Sequence, residues 1–150
     1  MIRVVLDTNQ IISAVLNPGG AADRLFKASG LVGEAQYELV LSEPILEEIK
    51  AVLDYPRLQD LLGWSKHEKV VFLQLLQEHA TVVKALETSE QIVEVDPDDD
   101  KFFHTAIAAD AKAIISRDKH LLRIKNYKGI RVLSPEVFLS VLRVGIDTAL

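Results

Sequence analysis

The chain has no cysteine among its 150 residues, and methionine and tryptophan occur once each. Without cysteine there is no disulfide framework, no thiolate ligand for a metal and no thiol nucleophile, so chemistry here must run on oxygen and nitrogen groups. The absence also suits the reducing cytoplasm, which is the expected compartment. Apolar residues make up 49% of the sequence. No apolar run comes near the roughly 18 uninterrupted residues of a membrane span, so no membrane partner is expected. The opening residues "MIRVVLD" lack the long apolar core and small-residue cleavage site of a secretory signal. One water-soluble domain over residues 1–150 is therefore expected, long enough to bury a substantial core.

Positive charge is the minority as well, with 17 basic against 22 acidic residues and a net charge of -5. Spread evenly, that balance argues against nucleic acid as a partner. The distribution is uneven. Glu94, Asp96, Asp98, Asp99 and Asp100 crowd one short stretch, whereas Lys112 to Arg131 holds seven Lys or Arg and the single acid Asp118. A solvated charged surface would look like this, and so would a metal site beside a phosphate-binding surface.

Helical and extended patterns alternate along the whole chain. "IRVVL" (2–6) has the continuous β-branched character of a buried strand, and "TNQIISAVL" (8–16) the spacing of one helical face. "AADRLFKASG" (21–30) reads as a second helix stopped by Gly30. "YELVLS" (37–42) reads as a strand, and Ser42 with Pro44 as the start of a helix that Pro56 ends. Ser65 and Glu68 form a capping box for "KHEKVVFLQLLQEHA" (66–80). "TVVKAL" (81–86) and "QIVEV" (91–95) are extended, and "DPDD" (96–99) is a turn before the helix "DKFFHTAIAADA" (100–111). "AIIS" (113–116) and "IRVLS" (130–134) are strands around a helical turn at "DKHLL", and Ser134 with Pro135 opens a last helix. Such alternation implies an α/β fold with a mainly parallel central sheet flanked by helices.

Acids recur at one kind of place in this pattern. Asp7 follows "VVL", Glu47 and Glu48 follow "LVLS", Asp99 and Asp100 precede "KFFHTAI", and Asp118 follows "IIS". Each could simply cap a helix or favour its dipole. In a parallel sheet, however, the strand carboxyl ends share one edge, so acids more than a hundred positions apart can converge there. Gathered carboxylates repel unless a cation offsets them, and an all-oxygen ligand set favours a hard ion, Mg²⁺ or Mn²⁺, over zinc. Periodicity separates the glutamates: Glu48, three after Ile45 and four before Val52, lies nearer the apolar face than Glu47. Asp99, three before Phe102, is preferred on the same logic, with Asp100 in reserve.

"VVLDTNQIISAVL", "LSEPILEEIKAVL", "DPDDDKFFHTAIAADA" and "IISRDKHLL", in that order and covering most of the chain, resemble the PIN-domain family, and within it the toxin components of toxin–antitoxin systems. The resemblance implies a Rossmann-like sheet and a Mg²⁺- or Mn²⁺-dependent ribonuclease. It assigns metal ligation and catalysis to Asp7, Glu48, Asp99 and Asp118, with Asn9 and Ser116 as polar neighbours. It further implies a cognate antitoxin protein and a homodimer. Arg117 departs from the pattern, standing where the family often has glycine. Together with Lys119 and Arg123 it is a candidate for holding the RNA backbone, as are Lys112 and Lys125. The histidines His67, His79, His104 and His120 read as surface or packing residues, and Trp64, Phe102 and Phe103 as core or interface.

Two other classes fit part of the pattern. A haloacid dehalogenase type phosphatase would use the aspartate after its first strand as nucleophile, but it resembles Asp-x-Asp, and the second position here is Asn9. A regulated module that keeps the acids and binds metal or RNA without efficient cleavage is the main alternative.

Overall fold

The computed structural model describes residues 1–85, 92–93 and 96–145. Its centre is β1 (Arg3–Leu6), where Val4, Val5 and Leu6 are fully buried. The continuous β-branched run is explained by the neighbours: β1 is flanked by a parallel strand on each side, β2 (Glu38–Ser42) and β4 (Ala113–Ile115). With β3 (Thr81–Val83), β5 (Asn126–Tyr127) and β6 (Ile130–Leu133), the strand order is β3-β2-β1-β4-β6-β5. All pairs are parallel except β5 with β6. From β1 the chain proceeds outward through β2 to β3, then returns to lay β4 on the other side of β1. The order therefore reverses between β1 and β4, which is where open α/β sheets form a crevice at the strand carboxyl ends.

The helices are α1 (Thr8–Leu16), α2 (Ala21–Phe26), α3 (Glu43–Leu53), α4 (Pro56–Leu62), α5 (Lys66–His79), α6 (Asp100–Ala108), α7 (Lys119–Leu122) and α8 (Pro135–Val144). The predicted caps form at Ser65, where both halves of the capping box are present, and at Ser134, whose hydroxyl accepts from Val137 N at 3.2 Å. Gly30 stops the second helical segment with φ 109°, a value that favours glycine. It lies within Lys27–Leu31, which widen into a π-type turn.

Two expectations need correction. Pro56 does not end α3, which stops at Leu53; it opens α4, which the sequence left unassigned, because proline is favoured in a first helical turn where no N–H is needed. Ser42 occupies the cap position of α3 but does not cap it, since its hydroxyl bonds that of Thr105 at 2.6 Å. The two-residue strand β5 gave no periodic signal of its own. Of the predicted extended segment 91–95, only Ile92 and Val93 lie within the described residues, and Glu94 lies outside them.

The core joins the sheet to α1, α3, α6 and α8 through side chains such as Ile11, Ile49, Phe103 and Phe138. Phe102 and Phe103 are buried, and Trp64 is half-buried against Phe72, 5.2 Å between ring centroids. Among the described residues no helix is long and apolar enough to cross a membrane.

Candidate active site

Asp7 is the first residue beyond β1, only 4% exposed, and its backbone N–H reaches across to Ile115 O of β4 at 3.1 Å. Its carboxylate caps α1 by accepting from Gln10 N at 2.9 Å. Burial pushes its pKa from 3.8 up to about 6; Ser116 and the Gln10 N–H oppose the rise, and the charges of Asp118 and Glu48 add to it.

Asp118 stands at the end of β4, across the strand-order reversal from Asp7. Its carboxylate caps α7 by accepting from His120 N at 2.8 Å, and its own N–H donates to Ser116 Oγ at 2.9 Å. Ser116 is fully buried between the two acids and touches both.

Glu48 lies on the second turn of α3, half-buried, while Glu47 is exposed. Thr8 Oγ1 donates to one carboxylate oxygen of Glu48, and the Lys101 ammonium donates to the other. Neither Thr8 nor Lys101 was singled out from sequence. Thr8 is buried at the start of α1, 3% exposed. The signal for it was present, in the polar triplet after β1; for Lys101, one charged residue in a first helical turn, there was none.

Asp99 and Asp100 separate clearly. Asp100, the reserve candidate, is buried with its carboxylate accepting from Val93 N at 2.7 Å and Ile92 N at 3.2 Å. It fastens an incoming segment to α6. Asp99 is half-buried, and burial together with the charges of Asp96, Asp118 and Glu48 pushes its pKa up to about 7, against the pull of Lys101. Stripe spacing marked Asp99 as the inward residue, yet the structure buries Asp100 more deeply, with its carboxylate accepting from backbone N–H groups seven and eight residues earlier.

Glu48 and Asp118 thus act electrostatically on both Asp7 and Asp99, although separate elements supply the four. Asn9 is exposed on the first turn of α1. A cleft of about 520 Å³ adjoins the cluster, lined by Pro44, Glu47, Glu48, Pro97, Lys101 and His104. Among the described residues, none is a hydrogen-bond partner of the buried His104 Nε2.

The basic segment does not form one surface. Arg117 and Lys119 flank Asp118 at the carboxyl edge, both exposed, and Arg117 pairs with Glu136 of α8. Arg123 is exposed just after α7. Lys112 precedes β4 and Arg131 lies beside Ala113 at the opposite end of that strand, away from the acids. Lys125 bonds through its backbone to Val132, between these two ends.

Carboxylates and hydroxyls are the donor set of a hard divalent cation, and the pKa values of Asp7 and Asp99 are raised first by burial and further by neighbouring carboxylate charge, which such a cation would offset. The cluster already draws in a stand-in positive charge, the Lys101 ammonium. Among the described residues no three Asp, Glu or His side chains are drawn together closely enough to hold one ion as they stand.

An open, mainly parallel sheet flanked by helices, with carboxylates near the point where its strand order reverses, defines an α/β protein. The chain belongs to the PIN-domain family, whose sequence pattern matches residues 3–120, from β1 into α7. It is also 30% identical over 125 residues to the uncharacterized protein MJ1680 of Methanocaldococcus jannaschii, a match covering 83% of this chain and 76% of that protein. PIN domains are generally nucleases, which makes phosphodiester hydrolysis the activity class of this fold.

Proposed function

We propose that the protein is a Mg²⁺- or Mn²⁺-dependent endoribonuclease whose metal ligands are Asp7, Glu48, Asp99 and Asp118. One observation carries this reading: Asp7 and Asp99, from separate elements, each feel the charges of Glu48 and Asp118 at the carboxyl edge of the sheet. A divalent ion bound there supplies Lewis acidity and a hydroxide nucleophile at neutral pH. The chain's own residues prepare that site. Ser116 sets the spacing of Asp7 and Asp118, and Thr8 fixes one oxygen of Glu48 so that the other can turn to the ligand. Asn9, exposed on the first turn of α1, orients a ligand or water. Lys119 and Arg123, and Arg117 once released from Glu136, hold the RNA backbone.

Attack by water rather than by the 2′-hydroxyl has a distinctive consequence. The products carry no 2′,3′-cyclic phosphate, and a single 2′-deoxy substitution at the cut site leaves cleavage intact. Incubation of end-labelled single-stranded RNA with Mg²⁺, Mn²⁺ or EDTA, followed by analysis of product termini, tests this. Cyclic phosphate ends, or cleavage that persists in EDTA, would sink it.

The resemblance of the four motifs to toxin components supports a further reading, that the nuclease is the toxin of a toxin–antitoxin pair and is silenced by an antitoxin protein. A binding titration with the product of the neighbouring gene tests it. Exposed Leu61, Val70, Val71 and Leu75 on α4 and α5 support a homodimer, which gel filtration tests. The pairing of Lys101 with Glu48 and of Arg117 with Glu136 favours the alternative of a weakly active, regulated module. Mn²⁺ binding without any RNA cleavage would favour it.

A further inference from the structure

Lys101 is the one cation bonded within the acidic cluster among the described residues, and its position is unusual for a first-turn lysine. Its side chain is 17% exposed and reaches Glu48, whose side chain is 30% exposed, rather than extending into solvent. The charge of Lys101 also acts on Asp99. Glu48 therefore has both oxygens engaged, one by Thr8 and one by Lys101. A divalent ion that takes Glu48 as a ligand competes with the ammonium for the same oxygen.

The backbone of Lys101 is held by a buried hydrogen-bond chain, while its side chain is held at its tip by Glu48, with the ammonium 5.7 Å from the Phe102 ring centroid. Thr105 Oγ1 donates to Lys101 O at 2.7 Å, which leaves the Ser42 hydroxyl as the donor in the 2.6 Å bond to Thr105. Ser42 and Thr105 are both fully buried, so this chain of bonds ties the first turn of α6 to the end of β2. The lysine stem, in contrast, has the cleft beside it, lined also by Pro44, Pro97 and His104. A long flexible stem on a fixed backbone, next to open volume, can swing without disturbing the fold.

We infer that Lys101 is a displaceable internal cation: it neutralises Glu48 in the metal-free protein, and metal loading expels it into the adjoining cleft. The exchange keeps the cluster offset in both states, by an ammonium before loading and by the divalent ion after it. It also delivers a positive charge into the cleft beside the site only when metal is present, which favours a polyanionic substrate in that state alone. The inference rests on the metal-site reading above and adds to it the order of events at Glu48.

Two measurements on the full chain test it. Trace acetylation with acetic anhydride, read lysine by lysine by peptide mass spectrometry, should find Lys101 slow to react without metal. Saturating Mn²⁺ should speed its acetylation severalfold, with Lys66 and Lys84 unchanged. Calorimetric titration should show Lys101→Met binding Mn²⁺ about tenfold more tightly than wild type, ~1.4 kcal/mol, because no resident cation has to leave. Mn²⁺ binding to the wild type with Lys101 still protected overturns the displacement while leaving the metal site standing. Equal or weaker Mn²⁺ binding by Lys101→Met overturns it too. Absence of Mn²⁺ binding by both proteins overturns the inference and the metal-site reading together.

Discussion

Asp99 and Asp100 are neighbours in the chain with unlike surroundings: Asp100 accepts two backbone N–H groups from Ile92 and Val93, while Asp99 faces the charges of Asp96, Asp118 and Glu48. Their substitutions should separate accordingly. Asp100→Ala leaves those backbone donors unpaired and should cost about 2 kcal/mol in urea unfolding, with Mn²⁺ affinity of the folded protein preserved. Asp99→Asn should leave stability unchanged or higher and weaken Mn²⁺ binding at least tenfold. Reversal of the two phenotypes would transfer the ligand role to Asp100.

Asp7 is a buried charge retained against its own solvation cost. In metal-free protein near pH 8, Asp7→Asn should raise stability by on the order of 2 kcal/mol while abolishing metal-dependent cleavage. Thermal melts in EDTA check the first half. A lowered melting temperature would mean that the carboxylate serves the fold more than the site.

The same burial gives a pH signature. Asp7 and Asp99 have pKa values raised from 3.8 to about 6 and about 7, so the folded protein binds more protons than the unfolded chain within that window. Their stabilising contribution is complete below the unfolded value and is lost as pH rises through the folded values. The stability advantage of Asp7→Asn over wild type should therefore be smallest below about pH 4, grow between about pH 4 and about pH 6, and level off above that. Metal affinity should run the same way, rising with pH, since the ion competes with these protons. A stability difference independent of pH would contradict the raised pKa of Asp7.

Thr8→Val keeps shape and removes the hydroxyl that donates to Glu48. The expected loss of stability is ~1 kcal/mol. Metal binding should weaken while the circular dichroism spectrum stays as in wild type. Unchanged affinity would show that Thr8 serves only to satisfy its own burial.

Much of this was legible in the sequence, and particular residues show why. Asp7 announces itself because a buried strand ends on it and a helix begins. Glu48 is separated from Glu47 by its place on the helix, since the apolar stripe fixes which side faces the sheet edge. Ser116 and Asp118 are marked by the short apolar strand before them. The rest depends on contacts across the fold. The role of Asp100 lies in the N–H groups of Ile92 and Val93, seven and eight residues earlier, which no periodicity reveals. Lys101 looks like any lysine in a first helical turn until α3 brings Glu48 beside it. The basic segment looks continuous along the chain, but β4 carries Lys112 and Arg117 to opposite ends of one strand. Pro56 was legible as a boundary and ambiguous in direction, because proline both follows helices and starts them.

The central claim is that the carboxylate cluster is a metal site that hydrolyses RNA. Cleavage of a mixed-sequence single-stranded RNA by wild type and Asp7→Asn, each in Mn²⁺ and in EDTA, tests it most directly. The account predicts cleavage by the wild type in Mn²⁺ alone, with Asp7→Asn inactive in both conditions though folded. Undiminished cleavage by Asp7→Asn, or by wild type in EDTA, would contradict it.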